Sequence, residues 1–347
     1  MRAVVAESCG PPSVLRLTEV PRLDPGPHEV RISVAACGVC FHDVVVRNGT
    51  FRRGVAFPVI LGHEVAGVVD AVGGSVRTLA VGDRVATTIH SFVCGLCSRC
   101  RGGRETSCPE RVFLGDAGLN GGYAEFVCVD ETNAVPVPGN VPLDEAAIVG
   151  CAIGTELNAI RDVGRVRPGE RVLVTGAGGG LGIHGVQIAR VAGAKVIAVT
   201  TTPGKADRIR RAGADEVIVV SPGTDFSPAV REASGGDGVD LVVDNVGSRV
   251  FGAVRRSVAD DGRIVLVGQL TGDFISVNLA QLFLRNVSIL SAKGVSRAQL
   301  GEALDLVAGG RLSPVVSERL PLARAAEAHA LVESAASLGR IVLQPAA

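Results

Sequence analysis

Three groups of residues in this sequence have the types and spacing that chemistry needs. The first is Cys94-Gly-Leu-Cys97-Ser-Arg-Cys100, followed by Cys108, a C-x2-C-x2-C-x7-C pattern. Four thiolates supplied by one short loop match a closed tetrahedral zinc site. Iron–sulfur clusters also take four thiolates, but no second cluster motif is present and the segment is rich in Gly and Arg, so zinc is the expected metal. Four protein ligands leave no open position, so this site is expected to tie down a loop and not to react. The second group is Gly176-Ala-Gly178-Gly179-Gly180-Leu181-Gly182, directly after RVLVT and before GIHGVQIARVAG. Glycines in a strand-to-helix turn let backbone approach a pyrophosphate, and the helix start supplies N–H donors and the positive dipole end. The register departs from G-x-G-x-x-G: position 181 is Leu, and Gly176, Gly179 and Gly182 form G-x-x-G-x-x-G. The third group is Cys37-Gly38-Val39-Cys40-Phe41-His42-Asp43, where a thiol, an imidazole and a carboxylate fall within four positions. Spacing alone leaves open which of these bind metal, which move protons and which only pack.

The elements that must position these groups follow two regimes. With 347 residues the chain is expected to form two domains, since single cores stop growing at roughly 300 residues. The first 150 residues alternate short β-like runs with Gly/Pro turns (VRISVAAC, EVAGVVDAVG, DRVATT, YAEFVCVD), the pattern of an all-β, barrel-like unit. Near residue 144 the pattern changes to LDEAAIVGCAIGTELNAI, with helical spacing and Asp144 and Glu145 suited to a helix start. Strands and helices then alternate: RVLVTG, KVIAVT, EVIVV, DLVVDNVG and RIVLVG are strands, with helical segments between. Such βαβ spacing calls for a parallel sheet covered on both faces. The tail after about residue 292 reads as two helices and a final strand, GRIVLQP; patterning leaves open whether it extends that sheet or returns to the first domain.

Composition narrows the class. Lys+Arg and Asp+Glu balance at 35 each, so no global field favours nucleic acid or an anionic membrane, and neither is expected as a partner. The N-terminus lacks a signal-peptide apolar core and the apolar runs are strand-length, so a cytoplasmic location is expected. Nine cysteines in that compartment are expected as thiols or metal ligands. The second strand ends at Thr200 and continues Thr201-Thr202-Pro203-Gly204-Lys205, with no carboxylate until Asp207. NAD sites usually hold the ribose 2′-hydroxyl with an acidic residue here. Neutral hydroxyls leave room for a 2′-phosphate, and Lys205 with Arg208 could pair with it, so NADP(H) is expected over NAD(H).

A β domain with a four-cysteine loop followed by a dinucleotide domain resembles the zinc-containing alcohol dehydrogenases of the medium-chain dehydrogenase/reductase superfamily. GVC-x-x-D at 38–43, GHE-x-x-G at 62–67, the four-cysteine loop, GC-x-x-x-T at 150–155 and the glycine loop occur in the family's order over essentially the whole chain. The resemblance implies a GroES-like β-rich catalytic domain (1–152 and 293–347) and a Rossmann cofactor domain (153–292), with the tail rejoining the first. It implies two zinc ions per chain, one in the four-cysteine loop and a catalytic one on Cys40, His63 and Cys151, whose fourth position is left for water or substrate oxygen. It also implies roles for Glu64 beside the ligand histidine, for Asp43 as the carboxylate orienting that histidine, for Thr155 at the nicotinamide end and for Arg340 near the pyrophosphate. A small-molecule substrate and a homodimer or homotetramer are implied as well. Cys9, Cys37 and Cys128 match no motif and are expected to pack, as are His28, His90, His184 and His329, with His184 close to the cofactor because it follows the glycine loop.

One position departs from the family pattern. Typical members carry Thr or Ser two residues after the first zinc cysteine and a histidine further on, which pass the alcohol proton outward. Here the first position is His42, and Val44, Val45 and Val46 occupy the stretch where the second histidine would stand. His42 could itself be the acid/base, bind a substrate phosphate or carboxylate, or hydrogen-bond the cofactor ribose. The leading expectation is an NADP(H)-preferring alcohol dehydrogenase/carbonyl reductase. The alternative is an NADPH-dependent enoyl or acryloyl thioester reductase, because the resemblance extends to some zinc-containing members, such as the acryloyl-CoA reductase-like branch, that carry a basic residue at this position and reduce an activated C=C bond.

Overall fold

The computed structural model describes residues 1–51 and 54–345. It divides into two compact units, Met1–Gly154 with Gly294–Ala347, and Thr155–Lys293.

The frame of unit 1 is a seven-stranded sheet built around the long strand Glu29–Val39. Glu64–Val72 runs antiparallel along one edge of that strand, with Gly38 opposite Glu64. On the other edge Phe126–Asp130 pairs with its first half, and the final strand Arg340–Gln344 pairs with Cys37–Val39. The tail therefore returns to the β unit and fills a place in its sheet. This pairing brings the end of one strand, the start of a second and the start of a third to one point, where Cys40, Glu64 and Arg340 follow. A second, three-stranded antiparallel sheet is formed by Arg2–Ala6, Leu15–Glu19 and Val59–Ile60. The core between these layers is aliphatic (Val5, Ile32, Ile60, Leu61, Val127, Leu343) around the fully buried Tyr123. Gly62 has φ +97°, and a Cβ there would stand 2.5 Å from the Tyr123 ring and 2.7 Å from Cys37 Sγ. Only glycine allows that turn and that ring to coexist, and the turn delivers His63.

Unit 2 is a six-stranded sheet, parallel throughout: Arg171–Val174, Lys195–Thr200, Glu216–Val219, Val239–Asp244, Val258–Leu266 and Ser288–Ser291. Numbered within the unit, the strands lie in the order 3-2-1-4-5-6, the doubly wound Rossmann order. Both faces of the inner strands are covered, which explains their continuous Val/Ile/Leu runs. Leu173, Ile197, Val242 and Ile264 are buried in one cluster with Val230 and Val254 from the covering helices. Truncating Leu173 or Ile264 to Ala is expected to cost about 2–5 kcal/mol. The strand order reverses beside Arg171–Val174, and the glycine turn follows that strand. Among the described residues no helix is long and apolar enough to cross a membrane.

Candidate functional site

Unit 1 assembles a donor group from three distant segments. Cys40 is the N-cap of the helix Phe41–Arg47; its sulfur accepts from the Asp43 backbone N–H while the Asp43 carboxylate accepts from the Cys40 N–H at 2.9 Å. A helix start favours the thiolate, as the macrodipole and the bare N–H groups both point at it. His63 enters from the Gly62 turn. Cys151 comes from Val149–Ile153, where the expected regular helix is wound instead into a π-helical turn. Such turns shift the facing of one residue, and here that residue is a donor. One donor atom each from Cys40, His63, Glu64 and Cys151 lies within 4.8 Å of all the others, and all four residues are buried.

The charges around this group are tightly matched. Cys151 donates to Cys40, which holds the Cys40 thiol well below its ordinary value, with Arg340 and His63 adding to the effect. The same bond, with burial, holds Cys151 well above. Metal binding to these thiols would displace their protons. Burial opposes a charged His63, yet Asp43 outweighs it and raises the imidazole well above its usual range. Asp43 Oδ1 lies 3.2 Å from His63 Nδ1, so the ring offers Nε2 to the donor group. Burial lifts Glu64 to about 7, against the pull of Arg340. Arg340 donates from Nε to Glu64 Oε2 at 3.1 Å, and its Nη2 lies 2.7 Å from Oε1 as an ion pair, 3.2 Å from Cys40 Sγ and 3.8 Å from Cys151 Sγ. Glu64 is ion-paired with Arg340 yet stays within reach of the group, whose softer donors are two sulfurs and one imidazole. That set fits a catalytic zinc with an open position.

His42 projects from the first turn of the same helix. Its Nε2 lies 2.7 Å from Asp116 Oδ1, a pairing that fixes the ring's orientation. The imidazole stands edge-on to His63, with ring centroids 5.3 Å apart, and packs against Phe113 at 4.6 Å and Phe51 at 5.2 Å. It keeps partial exposure, with 24% of its side chain accessible, so it can meet a small molecule.

The four-cysteine loop is a second donor group of different construction. Sulfur–sulfur distances are 3.5 Å for Cys94–Cys108 and Cys97–Cys100 and 4.0 Å for Cys94–Cys100. Tetrahedral zinc with sulfur ligands requires about 3.8 Å. Backbone N–H groups of Cys94, Cys97 and Cys100 point at the sulfurs of Cys108, Cys94 and Cys97, 3.4–3.5 Å away, an arrangement that favours thiolates.

The family comparisons agree with this arrangement. Residues 26–139 match the alcohol dehydrogenase GroES-like domain and residues 212–343 the zinc-binding dehydrogenase domain. The chain is 35% identical to an acryloyl-coenzyme A reductase of Sulfurisphaera tokodaii, over 99% of this chain and 100% of that protein. It is 34% identical to an alcohol dehydrogenase of Geobacillus stearothermophilus over 99% of each. The chain belongs to the zinc-containing alcohol dehydrogenase family. A solved NAD-dependent alcohol dehydrogenase superposes with a TM-score of 0.93 at 39% identity, covering 99% of both chains. The protein is thus an oxidoreductase of the medium-chain dehydrogenase/reductase superfamily.

As in a dehydrogenase of this kind, unit 2 carries the glycine turn between its first strand and the helix Gly182–Val191. Gly176, Gly178, Gly179, Gly180, Leu181 and Gly182 lie together there, and a Cβ on Gly182 would stand 2.3 Å from the Gly176 carbonyl oxygen. That close approach explains the third glycine of the pattern. Thr200, Thr201 and Thr202 follow the second strand, and Lys205 is buried with its Nζ 3.4 Å from the Gly178 carbonyl. Arg208 is exposed, and Asp207 pairs with Arg210. His184 Nδ1 lies 2.7 Å from the Gly180 carbonyl, at the loop where its place in the chain put it. Thr155 is buried at the start of unit 2.

Sequence patterns missed several residues. Asp116 sits in a Gly-rich loop with no motif around it. No motif marks Tyr123, and His329 is expected only to pack. Their Oη and Nε2 are 3.0 Å apart, and Tyr123 reaches Asp43. The single tyrosine of an aromatic-poor chain is the one signal that could have drawn attention to it.

Proposed function

We propose that the protein reduces the C=C bond of an α,β-unsaturated acyl thioester with NADPH, using a zinc ion on Cys40, His63 and Cys151. The observation that carries this is the His42–Asp116 pair beside His63, where an alcohol dehydrogenase of the usual pattern has a hydroxyl. The 35% identical relative named acryloyl-coenzyme A reductase supports the same chemistry. A zinc held by Cys40, His63 and Cys151 would supply Lewis-acid polarisation of the thioester carbonyl. NADPH supplies the hydride, which adds at the β-carbon, and a proton must then reach the α-carbon. Asp116 accepts the His42 Nε2–H, so a proton given to the α-carbon would leave from Nδ1 of the doubly protonated ring, and the imidazole would end neutral with its Nε2–H still on Asp116. Phe113 and Phe51 flank the imidazole and leave one side of it open to a substrate.

NADPH is preferred because the second strand of unit 2 ends in Thr200-Thr201-Thr202 and not in a carboxylate, with Arg208 exposed beyond it. The buried Lys205 reaches the glycine loop, so Arg208 is the cation better placed for a 2′-phosphate. A second zinc fills the four-cysteine loop. The protein is a cytoplasmic homo-oligomer. Association runs through unit 2, where Phe274, Leu279, Phe283 and Leu284 stand exposed near the sheet-edge strand Ser288–Ser291.

The second reading is carbonyl reduction or alcohol oxidation. The complete Cys40–His63–Cys151 donor group and the 34% identical alcohol dehydrogenase favour it. Paired substrates separate the two. The zinc-loaded protein is given NADPH with an α,β-unsaturated thioester and, separately, the matching aldehyde. Turnover of the thioester, with deuterium from labelled NADPH at the β-carbon, is expected; turnover of the aldehyde alone would overturn the proposal. For the cofactor, kcat/KM with NADPH is expected to exceed that with NADH at least about tenfold, and Thr202→Asp should reverse the order through repulsion of the 2′-phosphate.

A further inference from the structure

The hydrogen bonds behind His63 continue past Asp43. Asp43 Oδ1 faces His63 Nδ1 at 3.2 Å, and Oδ2 accepts the Cys40 N–H at 2.9 Å and the Tyr123 hydroxyl at 3.2 Å. Tyr123 Oη in turn lies 3.0 Å from His329 Nε2, with the two rings edge-on at 5.7 Å. Every side chain in this row is essentially inaccessible to solvent.

The direction of each bond follows from what each group can do. A carboxylate only accepts, so the single proton of Tyr123 goes to Asp43. His329 must then carry its proton on Nε2 and donate it to the phenol oxygen. Its Nδ1 has no partner among the described residues, which fits the same tautomer. A bare buried acceptor costs less than a bare buried N–H. All the protons in the row therefore point toward Asp43, and the three donors hold its carboxylate in one orientation. The helix that carries His329, Ala325–Glu333, is pinned to the Cys40 helix by the Arg47–Glu333 ion pair.

We propose that Tyr123 and His329 are positioning residues for the metal site: they lock Asp43 so that His63 presents Nε2 to the metal, and they tie the C-terminal helix to that donor. The proposal rests on Cys40, His63 and Cys151 being the second metal site. It does not depend on which substrate is reduced.

The test is zinc release from the full-length, zinc-loaded protein into a chromogenic chelator, followed as two kinetic phases. Tyr123→Phe removes the hydroxyl and keeps the ring. His329→Leu removes the donor and keeps apolar bulk, whereas His329→Gln keeps an amide N–H. Orienting partners of metal-bound histidines are worth about 10–100-fold in affinity. Tyr123→Phe and His329→Leu should each speed release of one zinc equivalent about tenfold or more and leave the other equivalent unchanged. His329→Gln should stay within about threefold of wild type, because its donor is retained. Unchanged release in both Tyr123→Phe and His329→Leu would overturn the proposal. So would equal acceleration of both equivalents, or His329→Gln behaving as His329→Leu does, since either marks a packing effect. A wild-type protein that carries only one equivalent would overturn the proposal together with the donor reading beneath it.

Discussion

Unit 1 holds two groups of metal donors, and they are built in opposite ways. The four-cysteine loop takes all its donors from one stretch, and backbone N–H groups of the same stretch support the sulfurs. The Cys40–His63–Cys151 group takes one donor from a helix cap, one from a glycine turn and one from a π-helical turn, and side chains support it: Asp43 on His63, and Arg340 on Glu64 and the sulfurs. A group supported by its own backbone needs little from the rest of the molecule. A group supported by distant side chains can be tuned, and can be damaged from far away.

The largest effect expected from this contrast comes from removing one donor in each group. Cys40→Ala should lower kcat/KM by about a thousandfold or more, since Lewis-acid stabilisation is worth several kcal/mol. Metal analysis should show one zinc equivalent lost and the other retained. Cys100→Ala should lose the opposite equivalent and lower the melting temperature, with activity falling only as the loop unfolds. If Cys40→Ala lost both metals, the two groups would not be independent.

Acid should separate them next. Burial holds His329 down to about 4, with Asp43 and Cys40 pulling upward and Arg47 pushing the same way as burial; Tyr123 also faces the ring. An unfolded imidazole titrates near about 6.5. The folded value is depressed, so the unfolded chain binds the proton first. The contribution of His329 to stability is full above pH ~6.5 and is lost as the pH drops toward ~4, by up to about 3 kcal/mol. Urea unfolding of wild type and His329→Gln across that range should show a shallower acid loss in the variant. Parallel curves would mean that His329 is not held neutral.

A smaller effect tests support without removing a donor. Asp43→Asn should weaken one zinc equivalent about 10–100-fold in chelator competition and leave the other unchanged. The smallest tests the converse. Arg99 donates to the Ser107 carbonyl at 2.7 Å within the four-cysteine loop, on the exposed side. Arg99→Ala should change stability by no more than about 0.5 kcal/mol and zinc release hardly at all, because backbone N–H groups carry the support. A large acceleration would show that this loop, too, depends on side chains.

The sequence by itself determined the local features: the four-cysteine loop, the glycine turn between a strand and a helix, and the βαβ alternation that demands a parallel sheet. Each depends on residues within a few positions of one another, where spacing is geometry. Cys40, His63 and Cys151 became a site in sequence only through the resemblance, since nothing in their spacing relates them. Tertiary structure decided the rest. The final strand pairs with Cys37–Val39 and so sets Arg340 against Glu64 and the sulfurs. The helical stretch expected through residue 151 changes to a π-helical turn at the donor. Asp116 meets His42, and Tyr123 and His329 meet Asp43, across separations that no motif spans. Hydrogen bonds act over about 3 Å in space, whatever the distance along the chain, and only the folded sheet sets which distant residues come that close.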